Sequence, residues 1–219
     1  MDADEARHLR QILRKRVGDQ VEIFDGHGAT ALAAVREIRR DEVALDVLET
    51  RTDPSGDGFL TLAVAPPKGE RLKWMVEKLV ELGVTRLELL LTERSVVDPG
   101  REKLRGLEQT VIAACKQSGR NHLMQIVPPI PWREWLLQTR SRQQQWYFAD
   151  PLGTPFPAQG FSSEIAIAIG PEGGFSPQEV TEAEQHGGQP ISLGPQILRI
   201  ETAAIAIAGY QRLTTIRSQ

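Results

Sequence analysis

The stretch EIAIAIGPEGGFSP, Glu164 to Pro177, decides the architecture. Ile165 to Ile169 is an unbroken apolar run, the pattern of a strand buried on both faces of a parallel sheet. Gly170, Gly173 and Gly174 then permit positive φ and close approach of another molecule to the backbone. Pro171 stiffens the turn, and Ser176 with Pro177 reads as a helix N-cap followed by the first helical residue. Strand, loop and helix in that order place the loop at a sheet's carboxyl edge, where ligands of open α/β folds collect. A second loop, LGPQILRIETA from Leu193 to Ala203, follows shortly after. Leu193-Gly194-Pro195 turns the chain, and the amides of Ile200 to Thr202 fall at a helix start, where they can bind a ligand's acceptor atoms. Two such loops predict one shared pocket.

Outward from these loops, strands alternate with helices. The pattern predicts a strand over Leu60–Ala65, a helix from about Glu70 to Leu82, and a strand over Arg86–Leu91. It continues with a helix over Arg101–Gln117, a short helix over Trp132–Gln138 and a strand over Gln145–Ala149. A last helix runs from about Thr202 to Leu213, whose start, TAAIAIAG, predicts extensive burial. The amino-terminal part differs. A helix over Asp4–Val17 would put Leu9, Ile12 and Leu13 on one side and Arg7, Arg10 and Arg14 on the other, with Gly18 as its stop. Short strands follow over Gln20–Phe24, Thr30–Ile38 and Val43–Leu48, punctuated by Asp25-Gly26-His27-Gly28 and the charged turn Arg39 to Glu42. One helix and such a meander make a small barrel. The segment TDPSGDG, Thr52 to Gly58, has linker composition, so the expected domains are 1–57 and 58–219.

Composition narrows the function. No run approaches the ~18 apolar residues of a membrane helix, and the start, MDADEARHLR, is acidic and polar rather than a targeting segment. The expectation is a soluble, cytoplasmic protein with no membrane partner. Cys115 is the only cysteine, which excludes an intramolecular disulfide and a cysteine-cluster metal site, and its expected state is buried and inert. His8, His27, His122 and His186 have no metal-ligand spacing and no serine sits in a GxSxG elbow, so metal and serine hydrolases are unsupported. Trp74, Trp132, Trp135 and Trp146 are scattered, as core-packing tryptophans are. The net charge of −3 speaks against coating nucleic acid through overall charge and leaves local basic patches open.

GPEGGFS lacks the Lys-Ser/Thr of a P-loop and does not fit GxGxxG; its Glu172 would repel a polyphosphate yet tolerate a nucleoside carrying a sulfonium. In the second loop Arg199 and Glu201 interrupt an apolar run, as a structural ion pair, as charges that simply face solvent, or as working groups of the pocket.

Four blocks carry a resemblance: HLRQILRKRVGDQVEIFDGHG at His8 to Gly28, KLVELGVTRLELLLTERSV at Lys78 to Val96, QSGR at Gln117 to Arg120, and the two glycine loops. In them the chain resembles the RsmE-type 16S ribosomal RNA uridine methyltransferases of the SPOUT class. Gln196 departs from the pattern, standing where the family most often has a basic residue. The resemblance implies an α/β SPOUT methyltransferase domain with a deep carboxyl-terminal trefoil knot, preceded by a small PUA-like β-barrel that helps bind RNA. It implies S-adenosyl-L-methionine as methyl donor and no metal. The cofactor would be lined by Gly170, Pro171, Glu172, Gly173 and Gly174, and by Leu193, Gly194, Ile197, Leu198, Thr202 and Ala203. It further implies a homodimer that methylates uridine N3 in 16S ribosomal RNA within the small ribosomal subunit.

That chemistry needs few protein groups, because the methyl is already electrophilic and its leaving group is a neutral thioether. The N3 proton must nevertheless be removed. Arg199 is expected to stabilise charge developing on the uracil carbonyls, while Glu172 or Glu201 accepts the proton or holds the arginine. Arg7, Arg10 and Arg14, joined by Lys116 and Arg120, are the expected phosphate contacts. The competing readings are a noncatalytic RNA-binding or ribosome-assembly factor and a nucleotide-binding enzyme.

Overall fold

The computed structural model describes residues 3–7, 9–10, 13–39, 42–53, 59–142, 145–157 and 164–215. The chain separates into two compact units, Met1–Gly56 and Asp57–Gln219. The segment expected to link them falls largely outside the described residues, as do His8 and Ile12.

In the first unit, helix α1 (Ala3–Arg7) precedes strands β1 (Gln20–Phe24), β2 (Ala29–Ile38) and β3 (Val43–Thr52), an antiparallel sheet in the order β1-β2-β3. The β1–β2 turn is held by Asp25, whose Oδ1 accepts from the amides of His27 (2.7 Å) and Ala29 (3.1 Å). Ala6, Leu9, Val35 and Val43 form the core, flanked by Val21, Ile38 and Leu45.

The helix expected over Asp4–Val17 does not run that far. Arg14 adopts φ 51°, Lys15 N donates back to Leu9 O at 3.2 Å, and Leu13 is half-exposed. Gly18 N donates to Val35 O (2.8 Å) and Val35 N to Asp19 O (2.9 Å), so pairing with β2 recruits a segment whose apolar spacing alone suggests a helix. Arg7, Arg10 and Arg14 therefore do not line one face of a continuous helix.

The second unit is an α/β layer structure. Its strands are β4 (Phe59–Val64), β5 (Arg86–Leu91), β6 (Gln125–Pro131), β7 (Gln145–Pro155), β8 (Glu164–Ile169) and β9 (Gln189–Ser192). They form one sheet in the order β6-β5-β4-β8-β7-β9, every pairing parallel. Its helices are α2 (Arg71–Glu81), α3 (Arg101–Ser118), α4 (Trp132–Ser141), α5 (Pro177–Gln185) and α6 (Ile200–Thr215). Helices α2, α3 and α6 pack together, α6 against β4 and β8, while α4 packs against β5, β6 and α5.

Strand β8 shows why the apolar run forms the sheet centre. Ala166 and Ala168 join the cluster of Trp132, Trp135, Trp146 and Phe148, so by alternation Ile165, Ile167 and Ile169 face the opposite layer. The two small side chains leave room for the indoles: Trp132 and Trp135 stack with centroids 5.5 Å apart, and Trp146 meets Trp135 edge to face at 5.0 Å.

On β5, Glu88 is 2% exposed. Its Oε1 accepts from Arg86 Nε and Arg142 Nη1, and its Oε2 from Trp135 Nε1. Burial pushes this carboxyl up, but Arg86, Trp135 and Arg142 outweigh it and hold it below the ordinary range. Cys115 is buried, its Sγ facing His122 O at 3.6 Å, and burial raises its thiol pKa. No described helix is long and apolar enough to cross a membrane.

Candidate active site

Because every strand pair is parallel, the segments after β4, β5, β8 and β9 emerge at the same carboxyl edge. The loop after β8 is held from several sides. Gly174 N donates to Pro171 O at 2.8 Å, closing a turn in which Gly174 has φ 68°. Gly174 alone of the three loop glycines has a positive φ. A Cβ at Gly170 would lie 3.2 Å from Phe175, and one at Gly173 would lie 3.3 Å from Arg94 Cδ, so these two glycines make room rather than turn the chain.

Ser176 and Glu179 form a capping box at α5: Ser176 Oγ accepts from Glu179 N (3.3 Å) and Ser176 N donates to Glu179 Oε2 (2.8 Å). Glu179 Oε1 also accepts from Glu93 N at 2.8 Å, while Arg94 Nη1 donates to Gly173 O at 2.6 Å. The loop after β5 is thus stitched to the glycine loop. Glu93, Arg94 and Glu179 carry no local sequence signal for this role, because each bond crosses about eighty or more residues.

The loop after β9 is more open. Gly194 turns with φ 114°, and Gly194, Pro195, Gln196 and Ile197 are exposed, Ile197 at 89%. Leu193 and Leu198 are half-buried, and Arg199 is exposed. The chain then submerges: Ile200, Glu201 and Ala203 are buried, and Ala203 N donates to Arg199 O at 2.9 Å in the first turn of α6. The amides of Ile200, Glu201 and Thr202 precede the first intrahelical donor. The burial expected of α6 holds for one face, with Thr202, Ala206 and Leu213 exposed on the other.

The two loops meet through a residue the sequence did not single out. Arg71, the first residue of α2, places Nη2 3.4 Å from Glu172 Oε1 and Nη1 3.5 Å from Glu201 Oε1. The arginine held by the two glutamates is therefore Arg71, and Arg199 points to solvent. Glu201 is 5% exposed and its Oε2 has no hydrogen-bond partner among the described residues. The sequence signal for Arg71 is its place in the β4–α2 connection, since that helix also starts at the ligand-binding edge.

Lys116 and Arg120 lie elsewhere. Helix α3 runs from the carboxyl end of β5 back to the amino end of β6, so its last turn sits at the sheet's opposite edge. Arg120 Nη1 there donates to Val80 O (3.1 Å) and Val84 O (2.7 Å), while Lys116 is exposed. No metal-binding group of His, Cys, Asp and Glu occurs among the described residues.

Comparison with known proteins accords with this geometry. An RNA methyltransferase domain model matches residues 57–211 and an RNA methyltransferase PUA domain model matches residues 2–48. The chain is similar to ribosomal RNA small subunit methyltransferase E of Synechocystis sp., at 30% identity over 94% of this chain and 70% of that one. It is similar also to the Bacillus subtilis protein of that name, at 28% identity over 95% and 88%. Among solved structures, ribosomal RNA small subunit methyltransferase E from Neisseria gonorrhoeae bound to S-adenosyl methionine superposes with a TM-score of 0.88, at 31% identity over 97% of this chain and 90% of that one. A methyltransferase from Legionella pneumophila in complex with the bound cofactor SAM gives 0.86, at 28% identity over the same shares. With its PUA-like first unit and its parallel-sheet second unit, the chain belongs to the RNA methyltransferase family that includes ribosomal RNA small subunit methyltransferase E.

Proposed function

We infer that this chain transfers the methyl group of S-adenosyl-L-methionine to N3 of a uridine in 16S ribosomal RNA. The observation that carries the reading is the junction at Arg71, where the glycine loop and the first turn of α6 meet at the sheet's carboxyl edge. The residues there fit such a cofactor. Gly173 and Gly174 expose backbone, the amides of Ile200 to Thr202 offer donors, and Glu172 and Glu201 suit a cation better than a polyphosphate.

When bound, the cofactor supplies an electrophilic methyl on a sulfonium, so the chain's task is to align the base and manage one proton. Arg199, exposed at the start of α6, donates to the uracil carbonyls as negative charge builds on the ring. A site carboxylate, Glu172 or Glu201, takes the N3 proton. Arg7 and Arg14, both exposed, supply phosphate contacts from the first unit, with Arg10 half-buried between them in sequence. Lys116 serves an RNA contact at the far sheet edge more readily than Arg120, whose guanidinium already holds two carbonyls.

The same reading includes a homodimer, supported by the exposed face of α6, and a cytoplasmic location, where ribosomal subunits are found. It also includes a trefoil knot.

Purified protein incubated with labelled S-adenosylmethionine and unmodified small subunits should place the label on N3 of one uridine, read by mass spectrometry of the RNA. Label absent from every uridine refutes the assignment. Calorimetric binding of a nucleoside triphosphate in place of S-adenosylmethionine would favour a nucleotide enzyme, and binding of neither a noncatalytic RNA-binding factor.

A further inference from the structure

Glu172 and Glu201 are unequal. The Glu172 side chain is 42% exposed, whereas that of Glu201 is 7% exposed. Glu201 Oε1 faces Arg71 while Oε2 is buried with no donor. A buried carboxylate oxygen without a donor is destabilising, and native proteins keep few such atoms away from sites where something else supplies the hydrogen. Arg71 reaches both carboxylates through their Oε1 atoms, at contacts of 3.4 and 3.5 Å that lie at the outer limit of a hydrogen bond. It balances the buried charge at Oε1 without covering Oε2.

We propose that Arg71 is a positioning residue for methyl transfer and that Glu201 Oε2 is the atom that takes the imide proton of the target base. Glu201 and Arg199 flank Ile200 at the start of α6. An imide edge carries one N–H that needs an acceptor, and Oε2 is the buried carboxylate oxygen of the site that the described residues leave without a donor. In the step, the N3–H bond breaks and its proton passes to Oε2. The pair left on N3 forms the new bond to the methyl carbon as the methyl–sulfur bond breaks, and that bond's electrons stay on sulfur as the neutral thioether. The proton then leaves Glu201 for solvent. Arg71 touches no reacting atom in this sequence; it keeps Oε1 occupied so that Oε2 is the oxygen presented.

The assignment rests on the methyl-transfer reading, and its test separates the two. Wild type, Arg71→Ala, Arg71→Lys and Glu201→Gln are compared with unmodified small subunits as substrate, with calorimetric titration of S-adenosylmethionine in parallel. Wild-type protein that transfers no label defeats the methyl-transfer reading before any variant is considered. Given wild-type turnover, Arg71→Ala should lower kcat by about thirtyfold or more, with KM and cofactor Kd changed less than about threefold. Arg71→Lys keeps the cation without the planar fork and should recover at least about a tenth of wild-type kcat. Glu201→Gln, which preserves volume, should lower kcat by about a hundredfold or more. Unchanged kcat in either Arg71→Ala or Glu201→Gln overturns the proposal. So does a fall in cofactor affinity that matches the fall in kcat, since Arg71 would then be a cofactor ligand or a brace. If Arg71→Ala does not fold, Arg71→Gln takes its place under the same criteria, and Glu201→Gln decides the proton acceptor.

Discussion

Two glutamates of the same α/β unit are almost sealed from solvent, Glu88 at 2% and Glu201 at 5% exposure, yet they are treated in opposite ways. Around Glu88 every direction is answered: Arg86 and Arg142 on one oxygen, the Trp135 indole on the other. Around Glu201 only Oε1 is answered, by Arg71 at 3.5 Å, and Oε2 is left over. Burial is therefore not what separates a structural carboxylate from a working one. The separation lies in how many of its lone pairs the fold itself satisfies.

The largest effect should come from the satisfied site. Glu88→Gln leaves two guanidinium groups facing a neutral amide and should lower unfolding free energy by about 3–5 kcal/mol, the usual cost of breaking one side of a buried pair. Urea denaturation measures it, and a loss under about 1 kcal/mol would remove the contrast. Next comes the open site. Arg199→Ala should reduce turnover about 10²- to 10³-fold, or about 2.7–4 kcal/mol of barrier, while S-adenosylmethionine affinity stays within about threefold. Undiminished turnover would show that the open end of α6 is not where charge develops.

A smaller effect follows from acid. Because Glu88 is held below its ordinary pKa, its contribution is fully present above the unfolded carboxylate value of about 4.3 and is lost as pH falls through the folded value. Urea midpoints measured from pH 7 down to pH 3 should fall more steeply for wild type than for Glu88→Gln, and parallel slopes would break the link. The smallest effect is the one that sharpens the comparison most. Glu201→Gln should change stability by less than about 1 kcal/mol in either direction, since a half-satisfied charge contributes little to the fold and sites of function are often kept at a cost in stability. A loss as large as that of Glu88→Gln would make Glu201 structural.

Much of this was legible in the sequence, and the exceptions have physical reasons. The run Ile165 to Ile169 and the Ser176-Pro177 cap specify their elements locally, and both form as read. Strands β6 and β9 are not legible in sequence because QIVPPIP and QPIS carry proline, which breaks strand patterning and is favoured in a sheet at its edges. Those are the two edge positions the strands occupy. The first helix was overread because the spacing of Leu9 and Leu13 carries no information about Val35, whose backbone captures the residues after it.

At the site, the glycines and the charged pair were visible as local exceptions to an apolar pattern. Arg71 was not, for an arginine at the start of a helix is ordinary until its partners, 101 and 130 residues away, are known. Glu88 was hidden for a related reason: within RLELLL it reads as the polar member of a strand, and only the folded sheet brings Arg142 and Trp135 to it.

The pairing of β4 with β8 bears on how the chain is made. Leu60 lies beside Ile165 and Leu62 beside Ile167 in the middle of the sheet. At ~5–20 residues per second, synthesis of the roughly one hundred residues between these strands takes about 5–20 s. During that interval β4 can gain its β5 neighbour and the helices of its own half, while its other edge waits. Protection of that exposed apolar edge, by the nascent chain's own helices or by a chaperone, is thus a requirement of this strand order, and slow, late-closing folding is its expected kinetic signature.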